Sequence, residues 1–206
     1  MILYLSIIGV FVAIIASIVA PIYGVNFFYA LGFAALAAVI VIIVDALVAT
    51  ICRLLPKKFA NHEKNFYVTS AKEKKFYEKL KIRKWKDAVP EIGQFTGFRK
   101  NKIADPKSVE YLDRFLLEIC YGELGHIMSI PFGFLILLLF PITKIWIAVS
   151  VPVAIINILM NLPSLFILRY NSYKLEVLRK SLLKKKQRAQ AAAQSEAVEE
   201  AASADA

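Results

Sequence analysis

Residues 2–20 (ILYLSIIGVFVAIIASIVA) carry no charged side chain. A helix of about 20 apolar residues matches the roughly 30 Å hydrocarbon thickness of a bilayer, so a run of this kind leaves few folds open. A cleaved signal peptide would need a basic leading segment and a small-x-small site before Pro21. Neither is present, because Ile18 occupies one of the small positions. The run therefore reads as a retained span. After the breaker-rich turn Pro21-Ile-Tyr-Gly-Val25, residues 26–54 form a second apolar run with Asp45 inside it. An acid at that depth is costly unless it faces the bundle interior, which makes Asp45 a functional candidate or a helix-packing hydrogen-bond partner. Two further runs cover residues 127–142 and 145–168. The expectation is an all-α integral membrane protein with about four transmembrane helices. A two-span version with two re-entrant stretches is the alternative.

Charge sets the topology. Of 26 Lys and Arg residues, 17 fall within residues 53–114, one in the 143–144 loop and eight within 169–188. The positive-inside rule then places both termini and the middle region in the cytoplasm. Clustering beside apolar runs points to anionic lipid rather than nucleic acid as the partner of the +10 net charge. Phe66, Tyr67, Phe76, Tyr77 and Leu80 interleave the middle charges, which suggests amphipathic interfacial segments with basic side chains reaching phosphates. Four segments follow. They are an N-terminal hairpin at 1–55, a basic amphipathic cytoplasmic region at 56–117, a second hairpin with the chemistry at 118–175, and a tail at 176–206. The tail turns Ala-rich and acidic from 189 and reads as disordered or weakly helical. Cys52 and Cys120 both fall on the cytoplasmic side, where free thiols are expected.

The stretch Glu118-Ile-Cys-Tyr-Gly-Glu-Leu-Gly-His126 concentrates reactive groups at the edge of the third run. On a helix, Glu123 lies about 60° to one side of His126 and Glu118 about 80° to the other. The imidazole is expected between two carboxylates. Glu118, Gly122, Gly125 and Ser129 form a second stripe that would let a helix or lipid chain come close. Asn157, Asn161 and Ser164 form a polar stripe in the fourth run, with Pro163 beside it. Arg169-Tyr170-Asn171 marks the membrane exit.

Arg83-Lys-Trp-Lys-Asp87, Val89-Pro-Glu91, Glu118…Glu123-Leu-Gly-His126 and Asn161-Leu-Pro163…Arg169-Tyr-Asn171, in this order, resemble the glycosyl-4,4'-diaponeurosporenoate acyltransferase family. The resemblance covers roughly residues 50–180. It implies a small multi-pass protein of a bacterial cell membrane that acylates a sugar hydroxyl of a glycosylated carotenoid. It also implies Trp85, Asp87, Glu91, Asn161, Arg169, Tyr170 and Asn171 as substrate-binding residues. Ser172 departs from the arginine that often follows Arg-Tyr-Asn in the family, and the first span and the tail look like additions.

Acyl transfer needs a base for the hydroxyl proton and donors for the developing oxyanion. His126 is the natural base, with Glu123 or Glu118 to fix its tautomer. Arg169 or Asn161 would serve the thioester oxygen. The donor would be acyl-CoA or an acyl-carrier protein, the acceptor a glycosylated lipid, and no bound cofactor is required. A covalent route through Cys120 ranks lower, since that residue sits about 120° around the helix from His126. Two histidines 64 residues apart do not make a persuasive metal site; Glu118, Glu123 and His126 could bind a divalent ion, but rank low because the ligands are few and the helix is rigid. No His-x4-Asp motif is present: Pro131 follows His126 at that distance, and Tyr67 follows His62. Walker, dinucleotide-binding and serine-elbow motifs are also missing. The competing readings are a non-enzymatic membrane adaptor and a lipid-binding or transport subunit.

Overall fold

The computed structural model describes residues 2–89, 103–138 and 143–204. Among these residues it contains helices and turns and no strand. Helix α1 spans Ile2–Tyr23 and α2 spans Phe27–Leu54. Two short helices follow, α3 at Ala71–Lys79 and α4 at Ile82–Trp85. Helix α5 runs Val109–Gly133 and tightens into a 3-10 segment at Phe134–Leu138. Helix α6 runs Lys144–Ala204. Four of these helices are long and apolar enough to cross a membrane, which fits a membrane protein.

Local chemistry fixes the helix starts. Gly24, at φ 62, makes the turn between α1 and α2. Asn26 then caps α2, its Oδ1 accepting from Phe28 N at 2.8 Å. Ser70 and Ser108 cap α3 and α5 in the same way, accepting from Glu73 N and Tyr111 N at 3.1 Å. The pattern Ser70-x-x-Glu73 is that of a capping box.

Helices α1 and α2 pack closely because α2 presents Ala30, Ala34 and Ala37 to Val12, Ile15, Ala16 and Val19. The start of α6 closes this end through Trp146, whose indole N–H donates to the Ile136 carbonyl of the 3-10 segment at 3.2 Å. Helices α5 and α6 lie antiparallel. Asp113 meets Arg179, Glu123 meets Arg169, His126 meets Asn161, and Ser129 meets Asn157. Helix α2 runs antiparallel to α5, with Ala49 against Gly125 and Arg53 against Glu118, and also touches α6 through Asp45.

Helix α6 continues through residues 169–171, and through Pro152 and Pro163 before them. It extends along the tail to Ala204, because alanine has the highest helix propensity and the stretch holds no glycine or proline. The glycine stripe of α5 serves two neighbours. A Cβ at Gly122 would stand 2.9 Å from Leu168 Cδ1 of α6, whereas Gly125 faces Ala49 of α2.

Ala37 is fully buried in the α1–α2 contact. Ala37→Leu is expected to push the two helices apart at a cost of about 1–3 kcal/mol. A lowered thermal midpoint in detergent, with insertion unchanged, is the measurement that checks it.

Candidate functional site

Two polar clusters lie between the helices. The first centres on Arg169. Its Nε and Nη2 grip the Glu73 carboxylate of α3, the latter at 3.1 Å. Its Nη1 donates to Glu123 Oε2 at 3.0 Å and to the Phe66 carbonyl at 3.1 Å. One guanidinium therefore ties α3, α5 and the 66–69 segment to α6. Thr69 strengthens the tie by donating to the Arg169 carbonyl at 3.2 Å. Tyr77 donates to Glu73 at 2.5 Å and stacks its ring near Phe166 of α6. Burial alone would raise the Glu73 pKa, but the hydrogen bonds from Arg169 and Tyr77 outweigh it and hold the carboxyl below the usual range. Burial, together with the neighbouring Cys120 and Glu123, pushes Tyr67 up to about 12. Glu123 is fully enclosed, and its Oε1 has no hydrogen-bond partner among the described residues.

The second cluster is deeper in the bundle. His126 Nδ1 and Asn161 Oδ1 are 2.7 Å apart. Asn161 Nδ2 donates to Asp45 Oδ2 at 3.1 Å, and to Asn157 Oδ1 and O at 2.8 and 3.0 Å. Asn157 Nδ2 donates to the Ser129 carbonyl at 3.1 Å and to Asp45 Oδ1 at 3.4 Å. Three helices thus contribute to one ladder of amides. His126 Nε2 has no hydrogen-bond partner among the described residues.

This arrangement corrects the expected histidine between two carboxylates. Glu123 is taken by Arg169, and Glu118 by Arg53 of α2 at 2.5 Å. Cationic partners on the flanking helices outcompete an imidazole for both acids. Asn161 takes their place at Nδ1. Arg169 stands apart from His126, and four of the five N–H groups of its guanidinium are engaged within the protein.

The remaining expected residues scatter. Trp85 packs with Ile82, Ile167 and Tyr170, and its indole donates to the Leu80 carbonyl at 2.9 Å. Asp87 is exposed. Tyr170 is buried, with Lys174 Nζ 4.1 Å from its ring centre. Asn171 is buried one residue further on, and Glu91 lies outside the described residues. Cys120 is buried among Ala60, Tyr67 and Tyr121, away from the ladder. No group of three metal-binding side chains occurs among the described residues.

A cleft of 390 Å³ opens beyond Arg169, between the 62–69 segment and α6, and includes His62, Thr69, Tyr173, Glu176 and Arg179. His62 Nδ1 lies 3.3 Å from Glu176 Oε2 there. Glu73, Arg53 and Gly133 were not candidates from the residues alone. Glu73 and Arg53 sit among many charges, and only the capping-box spacing distinguishes Glu73. Gly133 approaches Asn157 closely: a Cβ there would meet Nδ2 at 2.3 Å.

A family model for glycosyl-4,4'-diaponeurosporenoate acyltransferase matches residues 56–181, more than half the chain. The chain belongs to that family. The match takes in Glu73, Glu123, His126, Asn157, Asn161 and Arg169, but ends short of α1, α2 and the last part of α6. No curated protein and no solved structure matches the chain. Membership in this acyltransferase family indicates a transferase associated with carotenoid biosynthesis.

Two outcomes follow from the geometry. A carboxyl whose folded pKa is depressed contributes stability above its unfolded value, near 4.3, and loses it as pH falls through the lower folded value. Glu73→Gln is therefore expected to lower the thermal midpoint at pH 7. The gap to wild type should close as the pH drops below about 4. Gly133→Ala is expected to displace the Asn157 amide from the Ser129 carbonyl at a cost of about 1–3 kcal/mol. Thermal unfolding in detergent reads both.

Proposed function

We propose that the protein is a membrane O-acyltransferase. It moves a fatty acyl group from acyl-CoA or an acyl-carrier protein to a sugar hydroxyl of a glycosylated carotenoid or related isoprenoid. The observation that supports this beyond the family match is the pairing of His126 Nδ1 with Asn161 Oδ1. An amide oxygen only accepts, so Nδ1 carries the proton and Nε2 keeps its lone pair. Nε2 is then the general base. It takes the hydroxyl proton as the sugar oxygen attacks the thioester carbonyl. The C–S bond breaks, and the imidazolium returns the proton to the leaving thiolate.

Glu123 and Glu118 take supporting parts in this reading. With Arg169 and Arg53 they pin the helices in the register that brings Asn161 to His126. The cleft, which begins on α6 at Ser172, would receive the polar portion of a substrate, with its reactive end carried about 16 Å along α6 to the level of Asn161. The basic residues at 53–114 support a topology with this end of the bundle, and both termini, on the cytoplasmic side of a bacterial membrane.

Comparative mass spectrometry of lipid extracts tests the reading. Cells lacking the protein are complemented with wild type or with His126→Ala. A glycolipid that gains an acyl-chain mass with wild type should fall by about a hundredfold or more with the variant at equal protein level. Equal lipids from both strains would make His126 structural. No lipid change with wild type would move the adaptor and transport readings to the front.

A further inference from the structure

The amide ladder ends on a residue outside the matched stretch. Asp45 belongs to α2, and the family match begins at residue 56. Yet both Asp45 oxygens accept from the ladder, Oδ2 from Asn161 and Oδ1 from Asn157. We propose that Asp45 is the positioning residue that holds His126 in its Nδ1–H tautomer, so that the N-terminal hairpin is part of the reaction centre.

The argument is a count of donors and acceptors. Either asparagine can turn its amide end for end, and nothing within the amide itself decides which way it faces. The decision comes from groups that accept and do not donate. Asp45, as a carboxylate, is one and the Ser129 carbonyl is the other. They face the Nδ2 atoms of both asparagines, which turns Asn157 Oδ1 toward Asn161 and Asn161 Oδ1 toward His126. Reversing Asn161 would set its oxygen against the Asp45 carboxylate and against both oxygens of Asn157. Three donor–acceptor contacts would become acceptor–acceptor contacts, in an interior where each unmade bond costs about 1–3 kcal/mol. The orientation is therefore propagated from α2 through α6 to α5. At the end of the ladder the imidazole has one arrangement left, with the proton on Nδ1.

The isosteric variant Asp45→Asn tests this with little change in volume. It replaces one acceptor by a donor. Whichever way the new amide turns, its nitrogen meets the N–H of Asn157 or Asn161, so the ladder must reverse at one of them. A reversed Asn161 points Nδ2 at His126 and moves the imidazole proton to Nε2. Asp45→Glu keeps a group that only accepts and serves as the conservative control.

The experiment uses full-length protein with nitrogen-15 histidine in lipid nanodiscs. The chain has two histidines, and His62→Gln identifies the His126 signals. Wild type and Asp45→Glu should show the Nδ1–H signature at neutral pH. Asp45→Asn should lose it to a mixture of both tautomers or to the Nε2–H form. An unchanged Nδ1–H signature in folded Asp45→Asn protein overturns the proposal, and so does an Nε2–H signature in wild type. The purpose assigned to the tautomer rests on the acyltransferase reading, but the tautomer is read without turnover. A wild-type Nδ1–H signature with no acylated lipid in cells would therefore sink that reading while supporting Asp45 as the anchor.

Discussion

The contact of Arg169 with Glu123 fixes how far α6 slides along α5, and the candidate chemistry depends on that register. Glu123 and His126 are one turn apart on α5, whereas Arg169 and Asn161 are about two turns apart on α6. A one-turn slip would leave His126 facing another residue. It would also leave an enclosed carboxylate without its cation. Removing one member of such a buried pair typically costs about 3–5 kcal/mol, mostly because the other charge is stranded. The same guanidinium grips Glu73, so the short α3 is docked by the charge that sets the register. Arg53 with Glu118 repeats the device between α2 and α5.

The four long helices are legible in the sequence because nothing in a bilayer interior hydrogen-bonds a bare backbone, and apolar runs of sufficient length have one way to satisfy themselves. Much of the site is legible for a related reason. A polar side chain within such a run has to meet another, so Asp45 and the Asn157–Asn161 stripe call for each other across helices. The identity of each partner is not legible. Local geometry places Glu118 and Glu123 on either side of His126. The competitors that claim them, Arg53 and Arg169, lie 65 and 46 residues away in the chain. A charge among many basic residues gives no sign of which acid it will meet. Glu73 is obscured by its lysine neighbours in the same way. The tail reads as either disordered or helical for a different reason, since low complexity and helix formation coincide in alanine-rich sequence.

The family match and the structure divide the chain at different places. The matched stretch opens just after α2 and contains every side chain of the Arg169 cluster. The His126 ladder crosses that boundary. Tyr4 of α1 also crosses it, donating to the Met160 carbonyl at 2.8 Å, next to Asn161. The N-terminal hairpin is joined to the fourth long helix by polar bonds at the depth of the histidine as well as by the alanine-lined contact between α1 and α2.

Helix α6 has a mechanical consequence. Its 61 residues correspond to a rod of about 90 Å, some three times the hydrocarbon thickness of a bilayer. The last side chains packed on α5 are near Leu182, and from Lys184 to Ser195 the surface is exposed. The end of the rod stands clear of the bundle, while Asn161 sits on its inner part. A tilt of about 5° at the level of Asn161 sweeps the far tip through roughly 5 Å, given the rise of 1.5 Å per residue. Conversely, a load on the tip arrives as torque at Pro163, two residues from Asn161, where the helix lacks one backbone hydrogen bond.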